Sequence, residues 1–394
     1  MNLVQERLDV KNKSKSNFFN WRGQFTPDFV EYILENIGIK DNSIVADPFA
    51  GSGTVLIESL LKNFNTVGFE LNPSAFLMSD FYKYSRLSFD ERRKFIINIE
   101  KMILPLIQNH ADILIFNNNE KNEYRELYKG LILIAESFKS ISNENIKPFL
   151  INILFLSEKD KKMTIKESIL QSLKKLSQFL MSLPYSNKNI EVFNSDCRNI
   201  GNYFNNKIDL ILTSPPYINV FNYHQNYRAI VEIFDYKILN VANSEFGSNR
   251  KNRGNRLLTV IQYCLDMELC LHSFWKSLKD NGKLVLVVGR ESKVRKTPFF
   301  NSAIICDIIE KMEIFKLDRK EERTFKNKFG QEIIEDILFF KKNKNDVYNQ
   351  EIGYDIAKKH LLFSMQFAPE EAIADFKEAI DKLYTIKPSP IYNI

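Results

Sequence analysis

Residues 42–73, "NSIVADPFAGSGTVLIESLLKNFNTVGFELNP", restrict the fold of this chain more than any other stretch. "SIVADPF" is a short apolar, β-branched run, the pattern of a strand buried in a parallel sheet. "AGSG" is a turn that only small residues can make. "TVLIESLLKN" then spaces its apolar residues as one helix face, and "TVGFE" is a second strand. Strand, glycine-rich turn, helix and strand in this order form a βαβ unit. Doubly wound α/β sheets bind nucleotides at such a turn, beyond the carboxyl ends of the strands.

From Leu87 to Leu183 the character changes. "FDERRKFIINIEKMILPLIQ", "EYRELYKGLILIAESFKSI", "IKPFLINILFLSEK" and "TIKESILQSLKKLSQFLMSL" all carry apolar residues at helical spacing, which predicts an α-helical insertion. The α/β pattern resumes with "IEVFNSD" (190–196) and "KIDLILTSPPY" (207–217). A helical run from Thr259, a "KDNG" turn, the strand "KLVLVVG" (283–289) and the helix "SAIICDIIEKM" (302–312) follow. Residues 313–342 read as two strands joined by a charged hairpin, and Gln350 to Leu383 as a helical tail. These patterns divide the chain into a discontinuous α/β domain (1–80 and 189–342), the insertion (81–188) and the tail (343–394).

At 394 residues and 44% apolar content the chain buries a full core, and no apolar run reaches membrane-span length. The N-terminus lacks the apolar stretch of a secretory signal. Cys197, Cys264, Cys270 and Cys306 are scattered without CxxC spacing, which fits reduced thiols in the cytoplasm. His110, His224, His272 and His360 make no i, i+4 pair, so no metal site is expected. The net charge of +6 permits a nucleic-acid partner without requiring one.

"DPFAGSGT" (47–54) is not a phosphate-binding P-loop, because no GK[ST] follows, and its GxGxxG is incomplete. Glu70 ends the next strand at about the separation where an acidic residue takes ribose hydroxyls. A ribose-bearing cofactor is therefore favoured over a triphosphate; the alternative is a tight turn without a ligand. "ILTSPPYINVFNY" (211–223) ends a buried run on two prolines, which remove backbone donors and cannot continue a sheet.

"DPFAGSGT", "GFELNP" and "TSPPY" together resemble the S-adenosylmethionine-dependent amino-methyltransferases, which methylate the exocyclic amine of adenine or cytosine in DNA. The resemblance covers residues 17 to 80 and 189 to 342. It implies a Rossmann-like class I methyltransferase sheet with helices on both faces. In this resemblance Phe49, Gly51 and Gly53, with Ala50 and Thr54 between and after them, match the cofactor loop, and Asp47 lies near the methionine amino group. Glu70 holds the ribose hydroxyls, Leu71 packs on the adenine, Asp196 hydrogen-bonds the adenine, and Thr213 is a further cofactor-binding candidate. Phe25 and Thr26 fall where the family has its N-terminal cofactor segment; Thr26 is equally well the cap of a helix that starts at Pro27.

The resemblance also gives "SPPY" a mechanism. An exocyclic amine is a poor nucleophile because its lone pair is delocalised into the base. The Ser214 hydroxyl oxygen and the Pro215 carbonyl would accept its two protons and draw the lone pair out, with Pro215 and Pro216 holding them rigid. Tyr217 would stack on a base flipped out of the duplex. Serine before the prolines leans toward N4 of cytosine over N6 of adenine. DNA is the implied substrate, and a restriction-modification or defence setting with a cognate restriction endonuclease is the implied context.

"SNRKNRGNR" (248–256) places Arg250, Lys251, Arg253 and Arg256 after the motif, where they could clamp phosphates or form a solvated loop. "NVFNYHQNYR" adds Phe221, Tyr223, Tyr227 and Arg228, and aromatics interleaved with basic residues suit base stacking. Three alternatives stay open at this point. An RNA amino-methyltransferase would use the same pocket. A nicotinamide-dependent oxidoreductase would need the missing part of GxGxxG. A non-catalytic nucleic-acid-binding protein would have no use for an intact Ser214, Pro215 and Tyr217.

Overall fold

The computed structural model describes residues 3–109, 120–141, 143–158, 164–218, 223–247, 252, 254–326, 330–344, 348 and 351–392. The strands are β1 (Ile44–Asp47), β2 (Asn65–Phe69), β3 (Ile190–Phe193), β4 (Ile208–Thr213), β5 (Leu278–Gly289), β6 (Glu291–Val294), β7 (Thr297–Phe300), β8 (Phe315–Lys326) and β9 (Glu332–Lys342). Seven of them form one sheet in the order β3-β2-β1-β4-β5-β9-β8. The first five are mutually parallel, and β9 and β8 add antiparallel strands at one end.

Period-two alternation explains how the sheet is buried on both faces. Val45, Leu210, Leu212, Val285 and Val287 face the helix Pro27–Asn36. Ala46, Ile211, Leu284, Leu286 and Val288 face the helices Leu258–Ser277 and Asn301–Met312. The chain runs from β1 outward to β2 and β3, then crosses back to β4 and β5 on the other side of β1. Strand order therefore reverses between β1 and β4, and a crevice opens beyond their carboxyl ends. Asp47 is paired with Gly68, Phe69 with Phe193 and Thr213 with Leu286, so the residues following β1, β2, β3 and β4 emerge on one edge.

The stretch between β2 and β3 is helical, with helices Phe89–Asn109, Glu120–Lys139, Lys147–Ser157 and Ile165–Ser182. Ile99, Ile103, Phe149, Leu154, Ile169 and Leu176 share one cluster with Leu56 and Leu77 of the sheet's own helices. At about 1.5–3 kcal/mol per fully buried large apolar side chain, this shared cluster fastens the insertion to the sheet layer. Arg92 is buried and donates to the backbone carbonyls of Ser85, Leu180 and Pro184, closing the two ends of the insertion together.

Several details differ from the sequence reading. Residues 291–300 form the β6–β7 hairpin where no strand was expected, because the run "ESKVRKTPFF" has only two fully buried apolar positions, Val294 and Phe299. β5 starts at Leu278, so "KDNG" is absorbed into an irregular strand whose register against β4 shifts there. Short helices at Arg228–Ile233 and Ile238–Ser244 follow the proline motif. The tail is two helices, Ile352–Met365 and Glu370–Asp381, and the irregular residues after them are tied down where Ser389 and Pro390 meet Arg198 and Asp266. Among the described residues no helix is long and apolar enough to cross a membrane.

Candidate active site

A single cleft lies over the strand-order reversal. It is lined by Asp47, Phe49, Ala50, Gly51 and Thr54 after β1, by Glu70, Leu71 and Asn72 after β2, and by Asp196 and Cys197 after β3. Ser214, Pro215, Pro216 and Tyr217 line it after β4, and Phe25 with its neighbours from Trp21 onward closes one side. The two motifs that are about 160 residues apart in sequence thus meet because parallel strands deliver their carboxyl ends to the same edge.

The wall after β1 and β2 is held by its own backbone. The Glu70 carboxylate accepts from the Gly51 amide at 2.8 Å and from the Asn72 amide at 2.7 Å. Asp47 accepts from the Phe49 amide at 3.1 Å and the Thr213 hydroxyl at 2.5 Å. Desolvation in the cleft pushes both carboxyls, Asp47 and Glu70, up to about 7, against hydrogen bonds that favour the charged form. Gly53 does not line the cleft. It precedes the helix Thr54–Leu61 with φ +89°, and a Cβ there would lie 2.9 Å from the Tyr82 ring, so its part is to let the loop turn. Asn194 donates to the carbonyls of Glu70 and Leu71 at 2.8 and 3.1 Å and fixes that backbone.

Asp196 lines the cleft with its carboxylate engaged. Arg198 binds it twice, at 2.9 and 2.6 Å, and reaches Asp266 at 3.0 Å and the Ser389 carbonyl at 2.7 Å. Arg198 also sits 5.0 Å from the ring of Phe246, itself a cleft residue. The tail thereby backs the Asp196 side of the cleft.

Beyond β4 the chain turns through Ser214 and the two prolines. The ring of Tyr217 lies flat against β5: a Cβ on Gly289 would stand 2.6 Å from its Cε2, so any larger residue there would displace it. The Tyr217 hydroxyl donates to Glu335 Oε1 at 3.0 Å and stands 3.4 Å from Ser214 Oγ. Burial, reinforced by the Glu335 charge, pushes the phenol well above its usual pKa, so it keeps its proton. Glu335 Oε2 in turn accepts from Arg323 at 2.7 Å, and the Arg323 guanidinium lies 4.1 Å from the centre of the Phe29 ring.

Other candidates lie elsewhere. Thr26 stands just before the helix Pro27–Asn36 and outside the cleft, with no side-chain bond to the helix end; the helix-start reading holds for Pro27 but not for a hydroxyl cap. Thr213 reaches the cleft only through Asp47. Tyr223 lines it, 6.1 Å from Trp21 in a nearly parallel pair. Arg228 is bound to Glu232 at 2.8 Å on its own helix, and Arg256 is exposed. Arg250, Lys251 and Arg253, with Phe221, lie outside the described residues. Tyr227 is buried in the core against Phe155. Sequence reasoning passed over Glu335, Arg323, Glu245 and Asn72. Arg323 sits in the charged stretch "DRKEER" and Glu335 beside Asp336 in "EIIEDILFF", with nothing local to single either out.

Residues 5–80, which hold the whole β1–β2 wall, match the DNA methylase family. The chain is also 21% identical over 297 residues to the type II methyltransferase M.BsoBI of Geobacillus stearothermophilus, covering 62% of this chain and 58% of that one. Through residues 5–80 the chain is similar to the DNA methylase family. The type II methyltransferase M.MjaII of Methanocaldococcus jannaschii is 20% identical over 421 residues, covering 77% of each chain. Among solved structures, TrmN from Thermus thermophilus aligns with a TM-score of 0.32 at 12% identity, over 82% of this chain and 50% of that one. The cleft suits S-adenosylmethionine, the cofactor that the sequence motifs imply. Glu70 presents a carboxylate for a diol, Asp47 an acceptor for an ammonium group, and Phe49, Leu71 and Phe246 apolar surface for a purine.

Proposed function

We propose that this chain transfers a methyl group from S-adenosylmethionine to the exocyclic amine of a base flipped out of DNA, with N4 of cytosine favoured over N6 of adenine. The observation that carries this reading is that Asp47, Gly51, Glu70 and the Ser214–Tyr217 motif line one cleft at the carboxyl ends of neighbouring strands. The match to the DNA methylase family and the type II methyltransferases supports DNA as the polymer.

When bound, S-adenosylmethionine supplies an electrophilic methyl group on a sulfonium. Glu70 would hold the ribose hydroxyls, Asp47 the amino group, and Leu71 the purine face, with Asp196 at its edge. Phe25, Ala50 and Thr54 complete the walls. On the other wall, Ser214 Oγ and the Pro215 carbonyl would each accept one N–H of the target amine, so that its lone pair points at the methyl group. Fixed acceptors of this kind stabilise the charge that develops on nitrogen without later rearrangement. The ring of Tyr217 would stack on the base, and Tyr223, Arg228, Arg250, Lys251, Arg253 and Arg256 would meet the nucleic acid around it. In this reading residues 1–80 and 189–342 form the catalytic unit and 81–188 serve target recognition or a partner. A cognate restriction endonuclease is the partner we propose.

The test is nucleoside mass spectrometry after incubating the purified protein with S-adenosylmethionine and unmodified DNA, with RNA in parallel. N4-methylcytosine in DNA is the expected product. N6-methyladenine would correct the base, and methylation confined to RNA would overturn the polymer.

A further inference from the structure

A serine hydroxyl is an ambiguous choice for accepting a proton from an amine. It carries one donor and two acceptor lone pairs, and nothing in the residue itself decides which faces the substrate. If its proton points into the cleft, Ser214 meets the amine donor to donor, and the lone pair of the amine is not drawn out.

The surroundings of Ser214 resolve this. Its Oγ lies 3.4 Å from the Tyr217 hydroxyl, which lies 3.0 Å from Glu335 Oε1. An ionised carboxylate only accepts, so the single proton of Tyr217 goes to Glu335. The Tyr217 oxygen is then left with lone pairs alone, and the contact to Ser214 can form only with Ser214 donating. Arg323 anchors the far end. Its Nε and Nη2 both reach Glu335 Oε2 at 2.7 Å, and its guanidinium is packed 4.1 Å from Phe29 and 5.2 Å from Phe325. The sequence separation of 118 between Tyr217 and Glu335 makes this a contact of the assembled sheet, contributed by β9.

Resting on the function proposed above, we infer that Glu335 is a positioning residue which sets the direction of the hydrogen bonds running through Tyr217 to Ser214. Its effect is to leave the Ser214 oxygen as a pure acceptor toward the target amine. Tyr217 accordingly has two parts, a ring that meets the base and a hydroxyl that passes on the polarity set by Glu335.

Glu335→Gln is the informative variant because it keeps the shape and reverses the sense. Arg323 would hold the amide oxygen, turning the NH2 toward Tyr217; Tyr217 would then donate to Ser214, and Ser214 would donate into the cleft. The measurement is steady-state methylation of duplex DNA by the full chain, with kcat and the KM for S-adenosylmethionine determined separately. Melting temperatures of every variant are recorded beside them. Removing one fixed polar contact to a developing charge costs about 10²–10³ in rate, and a misdirected one is expected to cost about tenfold to hundredfold in kcat. The KM for the cofactor should stay unchanged.

Two controls separate polarity from mere structure. Tyr217→Phe keeps the ring and breaks the chain of hydroxyls, so the double variant Tyr217→Phe/Glu335→Gln should be no slower than the slower single variant. In a Ser214→Asn background the amide oxygen accepts without help, and Glu335→Gln should then change kcat by less than about twofold. Multiplicative losses in the double variant would overturn the inference. So would an equal loss with and without Ser214→Asn, or a loss that follows a lowered melting temperature and a raised cofactor KM. Should Ser214→Asn prove inactive, the Tyr217→Phe cycle alone decides. A wild-type protein that methylates neither DNA nor RNA would sink the proposed function itself, and the relay with it.

Discussion

The two walls of the cleft are built by different means. On the β1–β2 side the loop contacts are sequence-near: Glu70 takes the Gly51 amide 19 residues back and the Asn72 amide two residues ahead, and Asp47 takes the Phe49 amide two residues ahead, with Thr213 and Asn194 bracing them from β4 and from beyond β3. On the Ser214–Tyr217 side the supports come from far along the chain, 118 residues away for Glu335. Arg323, on the neighbouring strand β8, completes that support. The loop contacts of the first wall need only the β1–turn–helix–β2 unit to form. The other wall exists only once β9 and β8 have been added to the sheet.

The sharpest way to break the comparison is to remove one group from each wall. Ser214→Ala should lower kcat by about 10²–10³ while cofactor binding, measured by calorimetry, stays intact. Loss of cofactor binding in that variant would mean the walls are not separable. Glu70→Ala should do the opposite and weaken cofactor binding by about tenfold or more, since hydrogen bonds to a charged group contribute about 1.5–3 kcal/mol each. A Glu70→Ala protein that binds the cofactor normally but fails to turn over would reverse the assignment of the walls.

The next effect is a dependence on pH. Asp47 and Glu70 titrate near 7 in the folded protein, above their usual carboxylate values, because the cleft desolvates their charged forms. Between those usual values and about 7 the folded state holds more protons than the unfolded chain. The ligand-free protein should therefore lose stability as pH rises through that window. A cationic ligand favours the ionised carboxylates, so cofactor affinity should rise from pH 6 to pH 8 by up to about tenfold for each group that must ionise. Affinity that is flat across this range would show that neither carboxyl meets the cationic part of the cofactor. The smallest effect concerns the rim. Arg256→Ala should reduce the salt slope of DNA affinity by about one unit and leave kcat unchanged. An unchanged slope would remove Arg256 from the interface.

Legibility in the sequence follows the same division. The β1–turn–helix–β2 unit can be read directly because its contacts are sequence-near and its alternation and glycines are local signals. The four long helices of the insertion are legible for the same reason, their apolar spacing being continuous over many turns. The β6–β7 hairpin is not, since only Val294 and Phe299 are fully buried and the pattern is too short to recognise. Thr26 illustrates a local signal that misleads: the residue type suits a cap, yet its side chain makes no bond to the helix end. Residues 386–392 show the reverse case. "IKPSPI" looks like a loose end, but Ser389 and Pro390 satisfy the buried Arg198–Asp266 pair.

By itself the sequence determined the class of sheet, the glycine turn after β1 and the proline motif that follows β4, because each is written in the periodicity and residue types of a few neighbouring positions. Only the tertiary structure decided that Glu335 stands beside Tyr217, that Gly289 makes room for its ring and that Arg198 occupies Asp196. Those pairings depend on strand order and register. Among the many charged residues of β8 and β9, a linear pattern has no means of telling the one that the sheet carries to the cleft from those it leaves in water.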